Sequence, residues 1–250
     1  FGLNAIADWS PQVPFIDLMK TARPWVGHLP GQWGGVSFDD LRAGGFVDAD
    51  GWPLAIPGGV TGLETYVLTD LPPEAHGLAG RYVMTWTGEG DISVGGRATD
   101  AVRGDHIISF AFTPGEGPVH ITLTATDAAD PVSDIRVMRE DQAAMYAAGA
   151  IFNPDWLRVI NDARAVRFMD WMQTNGSAQD TWDDRPLVSD FSYAWRGVPV
   201  EIMVELANEI GADPWFTIPH QADDDYVAAF AAQVRDTLDP RLIVLAEWSN

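Results

Sequence analysis

Three textures of hydrophobic and polar residues follow one another along the chain. In the first, "GLNAIA" is short and apolar, and "PQVPFIDLMKTARPW" places Phe15, Leu18, Met19 and Ala22 at i, i+3, i+4 and i+7. That spacing is one face of a helix, which Pro24 would stop, so residues 1–29 predict one strand and one helix. From about residue 30 to 140 the period shortens to two. "ETYVL" (64–68), "RYVMTWT" (81–87), "DISV" (91–94), "HIISFAF" (106–112), "VHITLTAT" (119–126) and "DIRV" (134–137) alternate, separated by turn residues such as "TGEGD" and "TPGEGP". Short alternating strands at this spacing predict an antiparallel β-sandwich.

Beyond residue 141 the helical period returns. "NPDWLRVINDA" predicts a helix with Asn153 as N-cap and Pro154 in the first position. "AVRFMD" (165–170) predicts a strand, and a loop rich in Trp, Asp and Asn runs to Gly197. "VPVEIMVELANEIGA" puts Val200, Met203, Val204, Ala207 and Ile210 on one helical face, with Gly211 as the C-terminal cap. "PWFTIP" (214–219) and "LIVLAE" (242–247) predict strands on either side of the helix "ADDDYVAAFAAQVRDTL". Its aspartates sit at the N-terminus, where the helix dipole favours them. Strands alternating with helices predict parallel pairing with right-handed crossovers. The expected class is therefore α/β, the N-terminal part of a (β/α)8 barrel with an inserted antiparallel β-sandwich. Residues 1–29 would be the first βα unit, 30–140 the sandwich, and 141–250 the barrel units through strand four of an incomplete barrel.

Composition narrows the function. The net charge is −21, with a single lysine, Lys20, among 15 basic residues. Such a surface repels nucleic acid and anionic lipid, and it suits a neutral partner, a salty or extracellular setting, or solubility alone. With no cysteine there is no disulfide scaffold, thiolate metal site or cysteine nucleophile. No apolar run reaches the ~18 residues that span a bilayer. Phe1 is not an initiator residue, so we expect residues upstream of it. His28, His76, His106 and His120 lack metal-ligand spacing. "DADG" (48–51) resembles the opening of a calcium loop without its remaining ligands, so a turn is the expectation and no cofactor is implied beyond a structural calcium.

In parallel α/β folds the chemistry sits at the carboxyl ends of the strands. Here those ends carry Asp8 and Trp9; Arg167, Asp170 and Trp171; His220 and Gln221; and Glu247, Trp248 and Asn250. Indole rings among Asp, Asn, Arg and His suit a sugar, with rings stacked on the pyranose face and polar groups on the hydroxyls. Arg167 could instead be an ion-pair partner of Asp170, His220 a capper of backbone groups, and the tryptophans ordinary packing.

"EWSN" (247–250) resembles the fourth-strand motif of (β/α)8 retaining glycosidases, the superfamily of cellulases, arabinofuranosidases and xylosidases. There the strand often ends Glu-x-Gly-Asn-Glu. Glu247 and Asn250 match its first and fourth positions, and Ser249 stands where Gly is common. "RFMDW…TNGS", "LANEIGADPWFTIPHQADDDYV" and "IVLAEWSN" are similar to a group of secreted bacterial proteins often labelled cellulose-binding or uncharacterised, over residues 1–10 and 134–250. The resemblance implies hydrolysis of a poly- or oligosaccharide by two carboxylates, an acid/base glutamate expected directly after Asn250, and a nucleophile on a later strand. Asn250 and His220 would support catalysis. Asp8, Trp9, Arg167, Asp170, Trp171, Gln221, Glu247 and Trp248 would bind substrate. The implied partners are carbohydrate and the missing C-terminal half of the barrel, in a secreted or extracellular setting. The alternative is a non-catalytic carbohydrate-binding or cell-surface module whose sandwich binds through exposed rings, with Tyr66, Tyr82 and Trp86 as candidates.

Overall fold

A computed structural model of the chain describes residues 1–249; Asn250 lies outside the described residues. Two compact units emerge. The sandwich unit takes residues 7–151 and 190–192, and the parallel-sheet unit takes 1–6, 152–189 and 193–250.

The sandwich unit holds strands β1 (Val26–His28), β2 (Gly35–Val36), β3 (Gly62–Val67), β4 (Gly80–Thr87), β5 (Gly90–Gly96), β6 (Thr99–Gly104), β7 (Ile107–Phe112), β8 (Val119–Thr126) and β9 (Ser133–Arg139). They form two antiparallel sheets, ordered β2-β1-β3-β8-β5 and β6-β7-β4-β9. Period-two patterning decides which side is buried. Val119, Ile121 and Leu123 on β8 and Tyr82, Met84 and Trp86 on β4 turn into the core, while His120 and Thr122 turn out. Tyr66, Tyr82 and Trp86 are therefore not the exposed rings that the alternation offered. Two short helices, α1 (Phe38–Ala43) and α2 (Ala143–Ala147), complete the unit, α1 closed by a Ser37–Asp40 capping box. The "DADG" segment is a turn: the Asp48 carboxylate accepts the N–H groups of Asp50 (3.0 Å) and Trp52 (2.8 Å). Among the described residues no group of three or more His, Asp or Glu side chains is placed to hold a metal.

The parallel-sheet unit holds helices α3 (Pro154–Ile160), α4 (Tyr193–Arg196), α5 (Val200–Ile210) and α6 (Asp224–Thr237), and strands β10 (Ala165–Arg167), β11 (Asp213–Ile218) and β12 (Leu245–Trp248). The strands pair in parallel in that order, and Gly2 adds one parallel bridge to Arg167. Helix boundaries follow local chemistry. Asn153 and Asp223 accept N–H groups at the starts of α3 and α6, and Gly211 ends α5 in the left-handed region at φ 66°. Phe216 and Ile218 face α6 on one side of the sheet. There Val234, Leu242, Val244 and Ala246 join them in lining an open apolar groove of about 560 Å³. Among the described residues no helix is long and apolar enough to cross a membrane.

The barrel expectation is overturned. Among the described residues, nine strands belong to antiparallel sheets and three to the parallel one, with no (β/α)8 pattern. The first βα unit fails for local reasons. Of residues 2–6 only Leu3 and Ile6 are buried, and the segment makes a bridge rather than a strand. Pro11 and Pro14 push the residues before them out of the helical region. Asp17 then caps a 3-10 turn of four residues, Leu18–Thr21. Phe15, Leu18, Met19 and Ala22 are all buried, so their spacing marked burial without a helix.

Candidate functional site

The carboxyl ends of β10, β11 and β12 assemble a polar cluster in the parallel-sheet unit. Register sets Arg167 beside Trp215 and Thr217 beside Glu247, and the two-residue period puts all four on one face. Arg167 donates to Glu247 Oε1 from Nε at 2.8 Å and from Nη2 at 2.6 Å, and the Thr217 hydroxyl donates to the same oxygen at 2.7 Å. The guanidinium also lies over the Trp215 ring, 5.1 Å from its centre. Thr217's hydrogen bond is the largest influence on the Glu247 carboxyl. With Arg167 and Trp215 it overcomes partial burial and holds the carboxyl below its ordinary value. Glu247 is thus a fixed anion, able to accept hydroxyl protons and unsuited to donating one.

The other expected residues divide. Trp248, the last residue of β12, is 58% exposed, and alternation along the strand turns it to the sheet face opposite Glu247. His220 and Gln221 are exposed on the turn after β11, where the Gln221 amide contacts His220 Nε2 at 3.2 Å. With that nitrogen accepting, the neutral imidazole carries its proton on Nδ1. Asp170 is half-buried in the turn after β10, and Arg167 pairs with Glu247 instead of with it. Trp171 is buried, stacked on Trp156 with centroids 6.0 Å apart, and packs rather than presents a face. Asp8 and Trp9 belong to the sandwich unit, where Asp8 accepts from Arg23 (2.9 Å) and from the Thr69 hydroxyl. Asn250 lies outside the described residues. Sequence reasoning missed Thr217 and Trp215. Their alternation within "PWFTIP" could have found them, because a strand paired in parallel with "LIVLAE" shows the same face at every second residue.

No family model, curated protein or solved structure matches this chain. The resemblance to glycosidases therefore rests on its residues alone.

Proposed function

We propose that this protein is glycoside hydrolase-like and grips a neutral poly- or oligosaccharide at the carboxyl ends of β10–β12, in a secreted or extracellular setting. The observation that carries the reading is the immobilised Arg167–Glu247–Thr217 network at the strand ends, with the exposed Trp248 the next residue along β12. An open indole supplies a surface for a pyranose face, and a fixed carboxylate and guanidinium supply acceptor and donor for hydroxyls. Two-carboxylate hydrolysis asks for a proton-carrying acid about 5–5.5 Å from a nucleophile in retaining enzymes. Glu247 is committed to Arg167 and Thr217, so its role is binding. The acid/base glutamate and the nucleophile stay with the resemblance, and no described residue is given either role.

Calorimetric titration with cellohexaose, xylohexaose and mannohexaose tests this. We expect one of them to bind and Trp248→Ala to weaken it about tenfold, the scale of one lost stacking contact. Binding that is indifferent to both Trp248→Ala and Glu247→Gln would remove the strand-end site from consideration.

A further inference from the structure

The outer face of the five-stranded sheet carries a second polar and aromatic cluster that the strand-end reading does not use. At its centre is Glu64 on β3, with a side chain 11% exposed. Its carboxylate accepts from the Tyr66 hydroxyl two residues along the same face, and from the Thr122 hydroxyl opposite on β8 at 2.9 Å. Two imidazoles flank it. His28 Nε2 is 3.4 Å from one oxygen, and His120 Nδ1 is 3.6 Å from the other. His28 Nδ1 accepts the Gly34 N–H at 2.8 Å, so in the neutral ring the proton lies on Nε2, toward Glu64. His120 is half-buried on β8. A Cβ on Gly96 would come within 2.7 Å of its ring, so glycine there leaves room for the imidazole, and Gly95 beside it opens onto free space.

Two tryptophans flank this centre, and both are exposed yet held. Trp33, 69% exposed, donates its indole N–H to the Tyr66 hydroxyl at 2.8 Å and leans against the His28 ring at 5.9 Å. Trp9, 58% exposed, lies under the Arg23 guanidinium at 5.5 Å. Arg23 is itself fixed, forked onto both oxygens of Asp8 at 3.3 and 2.9 Å and set over the Tyr66 ring at 5.2 Å. Scattered exposed aromatics need no explanation. Two large rings immobilised on one face, with their surfaces in water, are different: most of the ordering cost of a stacked ligand has already been met by the fold. Charge names the ligand. On a chain of net charge −21, Arg23 offsets Asp8 here, and Glu64 sits between hydroxyls and imidazoles. The guanidinium and both carboxylates of the face are already partnered within the fold, which favours a neutral, hydroxyl-rich molecule over an ion.

We propose that this sandwich face binds a neutral glycan, with sugar rings laid on Trp33 and Trp9 and hydroxyls bonded by His120 and Glu64. The site belongs wholly to the sandwich unit.

The test is calorimetric titration of the full chain with cellohexaose, xylohexaose, mannohexaose and, as the charged comparison, hexagalacturonate. Trp33→Ala and Trp9→Ala should each weaken binding of the preferred neutral hexasaccharide about tenfold without lowering the melting temperature, since both rings are mostly solvent-facing. Trp33→Tyr, which keeps a flat ring, should restore most of the affinity. Trp248→Ala separates this site from the strand-end one: a loss there with none at Trp33 or Trp9 would overturn the sandwich site and leave the other standing. Absence of neutral-glycan binding, or tighter binding of hexagalacturonate, would also overturn it.

Discussion

Glu64 in the sandwich unit and Glu247 in the parallel-sheet unit are both carboxylates fixed on a strand face, and both are held below the ordinary carboxyl value. They reach that state by different routes. Glu247 is met by Thr217 and by a guanidinium, so its charge is cancelled in place. Glu64 is more deeply buried, and burial is the largest single influence on it, acting against ionisation. The Tyr66 and Thr122 hydroxyls and the two imidazoles together outweigh that burial. A carboxylate neutralised by arginine tolerates the loss of neighbours that are merely polar. One satisfied mainly by hydroxyls depends on every donor, and every donor depends on it. The sandwich cluster should therefore be the more brittle of the two and the better fixed as a binding surface.

The largest expected effect follows directly. Glu64→Ala leaves the buried Tyr66 hydroxyl and Thr122 without their acceptor, and we expect a loss of about 2–4 kcal/mol in urea unfolding. Glu64→Gln keeps the shape and one of the two acceptor oxygens and should cost less than Glu64→Ala. Equal losses would mean that charge, not hydrogen bonding, dominates there.

Arg167→Ala comes next, at about 1 kcal/mol, because water reaches both partners of that pair. The loss should shrink in 1 M NaCl, where charges are screened within about 3 Å, and the Glu64→Ala loss should not. A salt-independent Arg167→Ala effect would make the pair a packing contact through Trp215 rather than an ionic one.

The smallest effect lies in acid. Both carboxyls are depressed in the folded chain, so each contributes stability that is complete above the unfolded glutamate value of about 4.3 and is lost as pH falls through the folded value. Asp17 has the opposite sign. Burial, the largest influence, pushes its carboxyl up despite Lys20 and the N–H groups of Met19 and Val137, so its ionisation costs stability as pH rises through its folded value. Glu64→Gln should flatten the acid limb of the stability curve, and Asp17→Asn should raise stability near neutral pH relative to acid. A Glu64→Gln curve parallel to wild type below pH 4.3 would contradict the first.

How much of this the sequence discloses depends on how local the cause is. Asn153, Gly211 and Asp223 act within a few residues of themselves, and their helix boundaries are readable from the letters. So is the parallel order of β10, β11 and β12, because each crossover helix carries its own apolar stripe. β1 and β2 are too short and too glycine-rich to alternate, and β6 is exposed at every position, so neither pattern announces them. The barrel expectation came from joining a parallel sheet to a strand-end resemblance across a first segment whose prolines forbid the helix it required. The two proposed binding surfaces are the least legible. Trp33 is held by Tyr66 from 33 residues away, and Glu247 by Arg167 from 80. Nothing in "GQWGG" distinguishes a locked indole from a loose one.

The indole N–H resonances of the 11 tryptophans offer the most direct view of whether sugar contacts are made by exposed, immobilised rings. In a titration followed by two-dimensional NMR, with resonances assigned by single substitution, the preferred neutral hexasaccharide should shift Trp33, Trp9 and Trp248. Trp25 and Trp171, both buried to about 1% exposure, should stay still. Saturation with Trp33, Trp9 and Trp248 all unmoved would contradict carbohydrate recognition on either face.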